Sequence, residues 1–171
     1  AIDIGSNAVR LLITSIRINK SETKFKKISL VRVPLRLGED VFSKGKISDK
    51  KLKKLQKTLK VFKILMQIHK VYMFKAVATS AMREAENSTK IIEDIFKKLN
   101  IKIDLISGKK EALMIANVFL NSIENLVNNY LYVDVGGGST ELNLISKNKI
   151  IDTKSSLYRN SIMYAFASDG F

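Results

Sequence analysis

The chain has 171 residues, 46% of them apolar, and it carries 30 lysines and arginines against 16 aspartates and glutamates. This length and composition indicate a globular protein of one or two domains, and the formal charge of +14 favours a polyanionic partner. The absence of cysteine excludes a disulfide framework and thiolate chemistry. With no long apolar run and no signal-peptide pattern at its start, we expect a cytoplasmic protein without a membrane partner.

The beginning of the chain predicts three strands and a helix. Residues 1–7, 9–18 and 25–37 are rich in apolar or β-branched residues and are separated by turns, which is typical of an antiparallel meander. Apolar residues then recur at helical spacing between residues 48 and 70. This stripe contains Leu52, Leu55, Leu59, Phe62 and either Leu65 or Met66, and it follows two N-cap candidates, Ser48 and Asp49. The lysines of the same helix lie off the stripe, where they solvate one face, so no single lysine identifies a site.

Two strand–helix units follow. Residues 71–80 predict a buried strand and residues 87–100 a capped helix. Residues 101–107 predict another strand, and residues 108–126 a second long helix. The element order to this point is therefore βββαβαβα.

The remaining residues repeat the opening pattern. Residues 130–135, 140–146 and 149–156 predict three strands joined by a glycine loop and a polar turn. An acid, a glycine-containing turn and a strand occur in this order at residues 3–13 and again at residues 134–145. The pattern thus predicts an internal duplication of topology.

This duplication predicts an α/β fold with two similar lobes. We assign residues 1–126 to the first lobe and residues 127–171 to the start of the second. The tail after the last predicted strand is too short to supply the missing helices and strands, so we expect a truncated second lobe. The lack of an initiator methionine points the same way.

The chemistry-bearing residues cluster in two loops. The motifs DIGSN (Asp3 to Asn7) and DVGGGST (Asp134 to Thr140) both place an acid at a strand end, before a turn of small residues. Backbone N–H groups in such turns can cradle anionic oxygens, and the adjacent hydroxyl groups add hydrogen bonds. One glycine hairpin alone is commonly just a turn. Two at equivalent points of two lobes predict a shared phosphate site.

The acids beside these loops predict a bound cation, because a carboxylate repels phosphate. Magnesium prefers oxygen ligands and bridges one or two carboxylates to phosphate oxygens. Asp134 is the first candidate ligand, with Asp3 behind it. For Asp3, a structural role as a turn-capping residue is the alternative.

Two charged residues outside the loops are further candidates. Arg83 follows a buried strand and can clamp phosphate with two N–H groups, although a structural ion pair is the simpler role. Glu111 lies in the first turn of a predicted helix, where the helix dipole stabilises an acid without any function. Hydrolysis of a phosphoanhydride needs an acceptor for a proton of water, so Glu111 is also a candidate general base. The single histidine, His69, is expected to cap a helix.

Four motifs in a fixed order carry a resemblance to a known family. They are DIGSNAVRLLI, ATSAMREAEN, ISGKKEALMIA and VDVGGGSTELNLI. On these motifs the sequence resembles the exopolyphosphatase/guanosine pentaphosphate phosphohydrolase (Ppx/GppA) family. The resemblance implies an actin-like ATPase (RNase H-like) fold with its active site between two lobes. It also implies removal of a terminal phosphate from inorganic polyphosphate, or of the 5′ phosphate of guanosine pentaphosphate (pppGpp), with Mg²⁺.

The resemblance also implies roles for individual residues. Glu111 would be the catalytic base, Asp134 would hold the metal ion and Arg83 would contact phosphate. Glu141 and Asp3 would have supporting roles. The substrate-binding loops would consist of Gly5, Ser6 and Asn7 on the first lobe, and of Gly136, Gly137, Gly138 and Ser139 on the second.

The chain departs from the family pattern in three respects. Lys110 stands where members commonly carry a second acid, which would weaken metal binding, and Ala8 stands where a serine is common. Most of the second lobe is missing. The alternatives are a pppGpp phosphohydrolase and, from another class, an actin-like ATP-binding scaffold. We expect no nucleic-acid partner, since no aromatic–basic interleaving or helix-turn-helix pattern occurs, and a homodimer is left open.

Overall fold

The structure is a computed structural model that describes residues 1–18, 23–120 and 128–157. These residues form eight strands and five helices. In chain order they are β1 (Ile2–Ile4), β2 (Ala8–Ile18), β3 (Thr23–Pro34), α1 (Leu37–Lys44), α2 (Asp49–Ile68), β4 (Ala76–Ala78), α3 (Ser80–Glu84), α4 (Ser88–Leu99), β5 (Ile103–Leu105), α5 (Gly108–Leu120), β6 (Tyr130–Val135), β7 (Ser139–Ser146) and β8 (Lys149–Leu157).

The strands form two sheets. The first sheet has the order β3-β2-β1-β4-β5, in which the first three strands are antiparallel and β1, β4 and β5 are parallel. The second sheet is an antiparallel meander of β6, β7 and β8. Both predicted meanders are therefore present, and the helices between β1, β4 and β5 make the crossovers that parallel strands require.

One face of the first sheet forms the main core. Ile2 of β1 packs in one cluster with Leu59 and Phe62 of α2 and with Ile95 of α4. Because side chains alternate between the faces of a strand, Asp3 lies on the opposite face of β1. The helices thus cover one side of the sheet, while the side that carries Asp3 is available for a functional site.

Helix α2 matches its sequence prediction closely. Ser48 is the N-cap, its hydroxyl accepts a hydrogen bond from the Lys51 amide at 3.4 Å, and His69 is the C-cap. The predicted stripe is buried at Leu55, Leu59, Phe62 and Met66, and Leu52 packs against it. Its many lysines keep α2 polar, and no helix in the described part of the chain is long and apolar enough to cross a membrane.

Two short helices and the bounds of two strands differ from the prediction. The predicted third strand ends at Pro34, after which Arg36 adopts a left-handed conformation with φ of 52° and α1 begins. Helices α1 and α3 have eight and five residues, too few for a periodic pattern, and tertiary contacts hold them instead. The predicted strand at residues 71–80 shrinks to Ala76–Ala78, and Tyr72 before it is 87% exposed.

Helix α5 packs against the second sheet. Ala116 of α5 and Ile145 of β7 form a small buried cluster, and the ring of Phe119 lies 4.8 Å from that of Tyr132. The predicted lobe boundary at residue 126 lies outside the described residues. The end of the predicted helix at 121–126 and the tail from residue 158 lie outside them as well.

The core position of α2 gives a stability prediction. Phe62 is completely buried, so Phe62→Ala should lower the free energy of unfolding by about 3–5 kcal/mol through lost burial and a cavity. The neighbouring Val61 is 53% exposed, and Val61→Ala should change it by about 0.5 kcal/mol or less. Urea unfolding of the full-length protein measures both. Equal losses in the two variants would contradict this orientation of α2.

Candidate active site

Two hairpins with the same internal pairing form the centre of the site. In the β1–β2 hairpin Asp3 lies opposite Arg10, and the Gly5 amide donates to the Ala8 carbonyl at 3.1 Å. In the β6–β7 hairpin Asp134 lies opposite Glu141. The Gly136 amide there donates to the Ser139 carbonyl at 2.9 Å. The two hairpins therefore share both the sequence pattern and the way in which their strands are paired.

The turns of the two hairpins meet. A Cβ atom placed on Gly137 would lie only 2.5 Å from Cγ of Asn7. One placed on Gly138 would lie 2.7 Å from Oγ of Ser6 and would also collide with Ser80. Real Cβ atoms do not approach other atoms this closely, so a side chain at Gly138 would displace the buried serines, and one at Gly137 would displace the exposed Asn7 side chain. The glycines of the second turn allow its backbone to pack directly on the first.

The meeting turns expose unused hydrogen-bond donors. The amides of Ser6, Asn7, Gly137 and Gly138 make no hydrogen bond to any of the described residues. Successive backbone N–H groups without partners form a concave donor surface that suits an anion with several oxygens. This arrangement supports the phosphate site predicted from the two loop motifs.

A cavity of about 600 Å³ lies over these turns. It is lined by eleven of the twelve predicted site residues: Asp3, Gly5, Ser6, Asn7, Glu111, Asp134, Gly136, Gly137, Gly138, Ser139 and Glu141. Residues from both sheets and from α5 thus share one space, as a site between two lobes requires.

Arg83 is the predicted residue that does not line the cavity. Its Nη1 donates to the Ile106 carbonyl at 2.9 Å and to Oε2 of Glu111 at 3.3 Å, and its Nε lies 3.7 Å from the Glu84 carboxylate. The guanidinium therefore forms ion pairs with Glu84 and Glu111. This is the structural role that the sequence analysis gave as the alternative to phosphate binding. In this arrangement Arg83 orients Glu111.

Glu111 combines burial with mixed electrostatics. It lies in the first turn of α5, and its side chain is 17% exposed. Burial raises the pKa of Glu111 above its ordinary value, and the charge of Glu141 raises it further. Hydrogen bonds from Arg83 and Thr79 oppose this rise. A carboxylate with a raised pKa is a stronger base than a free one, which suits proton abstraction from water.

Asp134 and Glu141 form an acidic pair with no lysine or arginine partner among the described residues. As directly opposed residues of an antiparallel pair they share one face of the sheet, and both line the cavity. Glu141 is only 1% exposed, and the hydroxyl of Ser155 donates to it at 3.0 Å. Neither acid has a salt bridge within residues 1–18, 23–120 and 128–157.

This acidic pair fits a divalent cation such as Mg²⁺. Buried carboxylates ordinarily have a positive partner. No group of three or more histidine, cysteine or acidic side chains suited to a metal occurs in the described residues. A bound cation would therefore complete its coordination with water or phosphate oxygens, which is how Mg²⁺ is commonly held.

Asp3 differs from Asp134 in having a positive partner. Oδ2 of Asp3 accepts a hydrogen bond from Nη1 of Arg10 at 3.1 Å. Burial raises the pKa of Asp3, although the charge and hydrogen bond of Arg10 oppose the rise. Because its charge is balanced within the hairpin, Asp3 fits a supporting role better than that of a principal metal ligand.

The cavity also contains residues that the sequence did not single out as site residues. Thr79 and Ser80 line it just after β4, and Arg32 of β3 and Lys75, just before β4, line it as well. A signal for the first two was present: small polar residues follow a buried strand at the edge where parallel strands end. Nothing in the local sequence indicates that Arg32 would reach the cavity, because its position depends on strand pairing.

Comparison with known proteins identifies the family. Residues 16–158 match the model of the Ppx/GppA phosphatase family. The chain belongs to that family. Over 148 residues it is 32% identical to a bifunctional 3-dehydroquinate synthase/phosphatase of Fusobacterium nucleatum, a match that covers 84% of this chain and 22% of the relative. Over 141 residues it is 29% identical to exopolyphosphatase 1 of Mycobacterium tuberculosis, with 82% of this chain and 40% of the relative covered.

Solved structures of the family agree with the fold. The crystal structure of an exopolyphosphatase from Cytophaga hutchinsonii matches with a TM-score of 0.83 and 31% identity, covering 91% of this chain and 48% of that one. The Aquifex aeolicus member of the Ppx/GppA family matches with a TM-score of 0.76 and 29% identity, covering 91% and 49%. These matches confirm the predicted α/β fold of the actin-like class. The chain spans about half the length of these solved relatives.

The contacts of Glu111 predict how its pKa responds to its neighbours. Glu141→Gln removes a negative charge, so the pKa of Glu111 should fall, whereas Arg83→Gln removes a cation and should raise it. Carboxyl-carbon NMR titration of the metal-free full-length protein measures both changes. Glu39→Gln, on exposed α1, is the control and should leave Glu111 unchanged. An unchanged pKa in the Glu141 variant would show that the two carboxylates do not interact.

Proposed function

We propose that this protein is an exopolyphosphatase that hydrolyses the terminal phosphoanhydride bond of inorganic polyphosphate. The observation that carries the proposal is the contact between the two glycine turns, with free amides on both and Glu111 in the same cavity. Exopolyphosphatases among the relatives of similar sequence and fold support it. A polyanionic substrate also suits the formal charge of +14.

Different residues of the cavity have different roles in the proposed hydrolysis. The free amides of Ser6, Asn7, Gly137 and Gly138 bind the oxygens of the terminal phosphate and fix its orientation. Glu111 accepts a proton from water positioned for in-line attack on the phosphorus. Arg83 holds the Glu111 carboxylate in place through its 3.3 Å hydrogen bond.

Asp134 is the residue we propose to hold Mg²⁺, with Glu141 in support. When bound, the cation would neutralise phosphate charge and so reduce the repulsion between substrate and carboxylates. Lys110 does not line the cavity, whereas Asp134 and Glu141 do, so these two acids bear the cation-binding role. We further propose the division into lobes at residues 126 and 127 and a cytoplasmic location.

The second candidate substrate is pppGpp. It ends in the same chain of phosphates, so the two turns would bind it in the same way. The cavity of about 600 Å³ extends past the turns to Arg32 and Lys75, which leaves space for more than a terminal phosphate. Polyphosphate should nevertheless show the higher kcat/KM, because the relatives of similar sequence and fold include exopolyphosphatases. A higher kcat/KM for pppGpp would reverse this assignment.

The role of Glu111 is tested by removing its basicity. Glu111→Gln should reduce the rate of phosphate release from polyphosphate by about 10²–10⁴, because general-base catalysis typically contributes that much. Glu93→Gln, an exposed acid on α4, is the matched control and should keep the wild-type rate. A Glu111 variant within a few-fold of the wild-type rate would exclude Glu111 as the base.

The role of Asp134 is tested by cation binding without turnover. Asp134→Asn should weaken binding of Mn²⁺, followed by electron paramagnetic resonance, by about tenfold or more, since it removes one of the two uncompensated acids. Asp152→Asn, on an exposed part of β8, should bind Mn²⁺ as the wild type does. Chelation with EDTA should abolish phosphate release. If Asp134→Asn bound Mn²⁺ as tightly as Asp152→Asn, the cation would have to be held by residues other than Asp134.

A further inference from the structure

Two serine hydroxyls form a buried pair where the turns meet. Oγ of Ser6 lies 2.8 Å from Oγ of Ser80, and the Ala81 amide donates to Ser6 Oγ at 3.1 Å. Ser6 and Ser80 are 5% and 2% exposed, yet both line the cavity. The hydroxyl of Ser6, a residue of the first turn, is therefore hydrogen-bonded to two residues of α3.

The two hydroxyl protons of this pair are not both used in hydrogen bonds. Each hydroxyl carries one proton and can accept two hydrogen bonds. The bond between the two oxygens uses one proton, whichever serine donates it, and the Ala81 amide uses only an acceptor position on Ser6. Neither hydroxyl donates to any other of the described residues. One proton of the pair is thus without an acceptor.

The surroundings of the pair favour an anionic acceptor. Gly138 lies against both hydroxyl groups, closely enough that no side chain fits there. The unused amides of Ser6, Asn7, Gly137 and Gly138 belong to the same turns. An anionic oxygen placed among these amides could accept hydrogen bonds from them and from the serine pair, and a buried donor without an acceptor is costly.

We propose that the Ser6–Ser80 pair donates one hydrogen bond to an anionic oxygen of the phosphate held between the two turns, which makes Ser80 a substrate-binding residue of α3. The proposal rests on the proposed function, because it uses the same phosphate. It adds a third segment of the chain to the two loops. Since α3 also contains Arg83, one short helix then contacts the phosphate through Ser80 and orients Glu111 through Arg83.

The pair arrangement predicts a particular pattern in a double-mutant cycle. In Ser80→Ala the Ser6 hydroxyl keeps its proton, and in Ser6→Ala the Ser80 hydroxyl keeps its own, so each single variant retains one donor. The double variant retains none. The loss of tripolyphosphate affinity in the double variant should therefore exceed the product of the two single losses by about threefold or more. The double variant should bind about tenfold more weakly than the wild type or worse.

The measurement is isothermal titration calorimetry of the full-length protein with tripolyphosphate at fixed Mg²⁺. Circular dichroism should confirm that each variant is folded, because Ser6→Ala also leaves the Ala81 amide without its acceptor. Ser88→Ala is the matched control: Ser88 is a buried serine at the start of α4 that does not line the cavity. It should bind tripolyphosphate as the wild type does.

The outcomes separate the pair from the proposed function. The proposal for the serine pair would be refuted if the loss of tripolyphosphate affinity in the double variant only equalled the product of the two single losses. Wild-type affinity in the double variant would refute it as well. Hydrolysis of polyphosphate by the wild type would leave the proposed function intact in either case. If the wild type bound tripolyphosphate without hydrolysing polyphosphate, the proposed function would be refuted. The double-mutant cycle would still test whether the serine pair donates a hydrogen bond to the phosphate. A wild type that binds none of tripolyphosphate, pppGpp and ATP would overturn both.

Discussion

The contact between two backbone turns is the constraint on which the rest of the site depends. Gly138 packs on the buried hydroxyl of Ser6 at a distance that admits no Cβ atom, and Gly137 lies against the side chain of Asn7. Glycine loses more conformational entropy on folding than any other residue, so three in a row are unfavourable unless a close approach requires them. Here the approach brings the unused amides of both turns to one cavity. The acids, Glu111 and the Ser6–Ser80 pair acquire a common role only because this contact places them together.

Helix α3 links the two halves of the site. Thr79 and Ser80 lie at its start beside the first turn, and its Arg83 reaches Glu111 on α5. Five residues cannot form a stable helix in isolation, so the contacts that α3 makes must hold it. The Ala81 amide bonded to Ser6 is one of these contacts. The same hydrogen bonds that stabilise α3 thus set the geometry of Glu111, the proposed base, and of the proposed phosphate site.

Charge is distributed unevenly between the two hairpins, although their pairing is the same. Asp3 has Arg10 directly across the strand pair, whereas Asp134 has Glu141 in the equivalent place. The first hairpin therefore balances its own acid, and the second presents two acids to the cavity. This asymmetry is why we propose a cation on one side only. Burial raises the pKa of Glu111, and the charge of Glu141 adds to that rise despite the hydrogen bond from Arg83.

Local sequence determined the long elements, the two hairpin motifs and eleven of the residues that line the cavity, because periodicity, capping and glycine chemistry act over a few residues. Helix α2 and the two turns that follow Asp3 and Asp134 are examples. Only the tertiary structure decided the short helices α1 and α3, which local propensity does not specify. It likewise placed Arg83 against Glu111 rather than in the cavity, and Ser80 against Ser6. Those positions depend on contacts between residues far apart in the chain, which a local pattern does not contain.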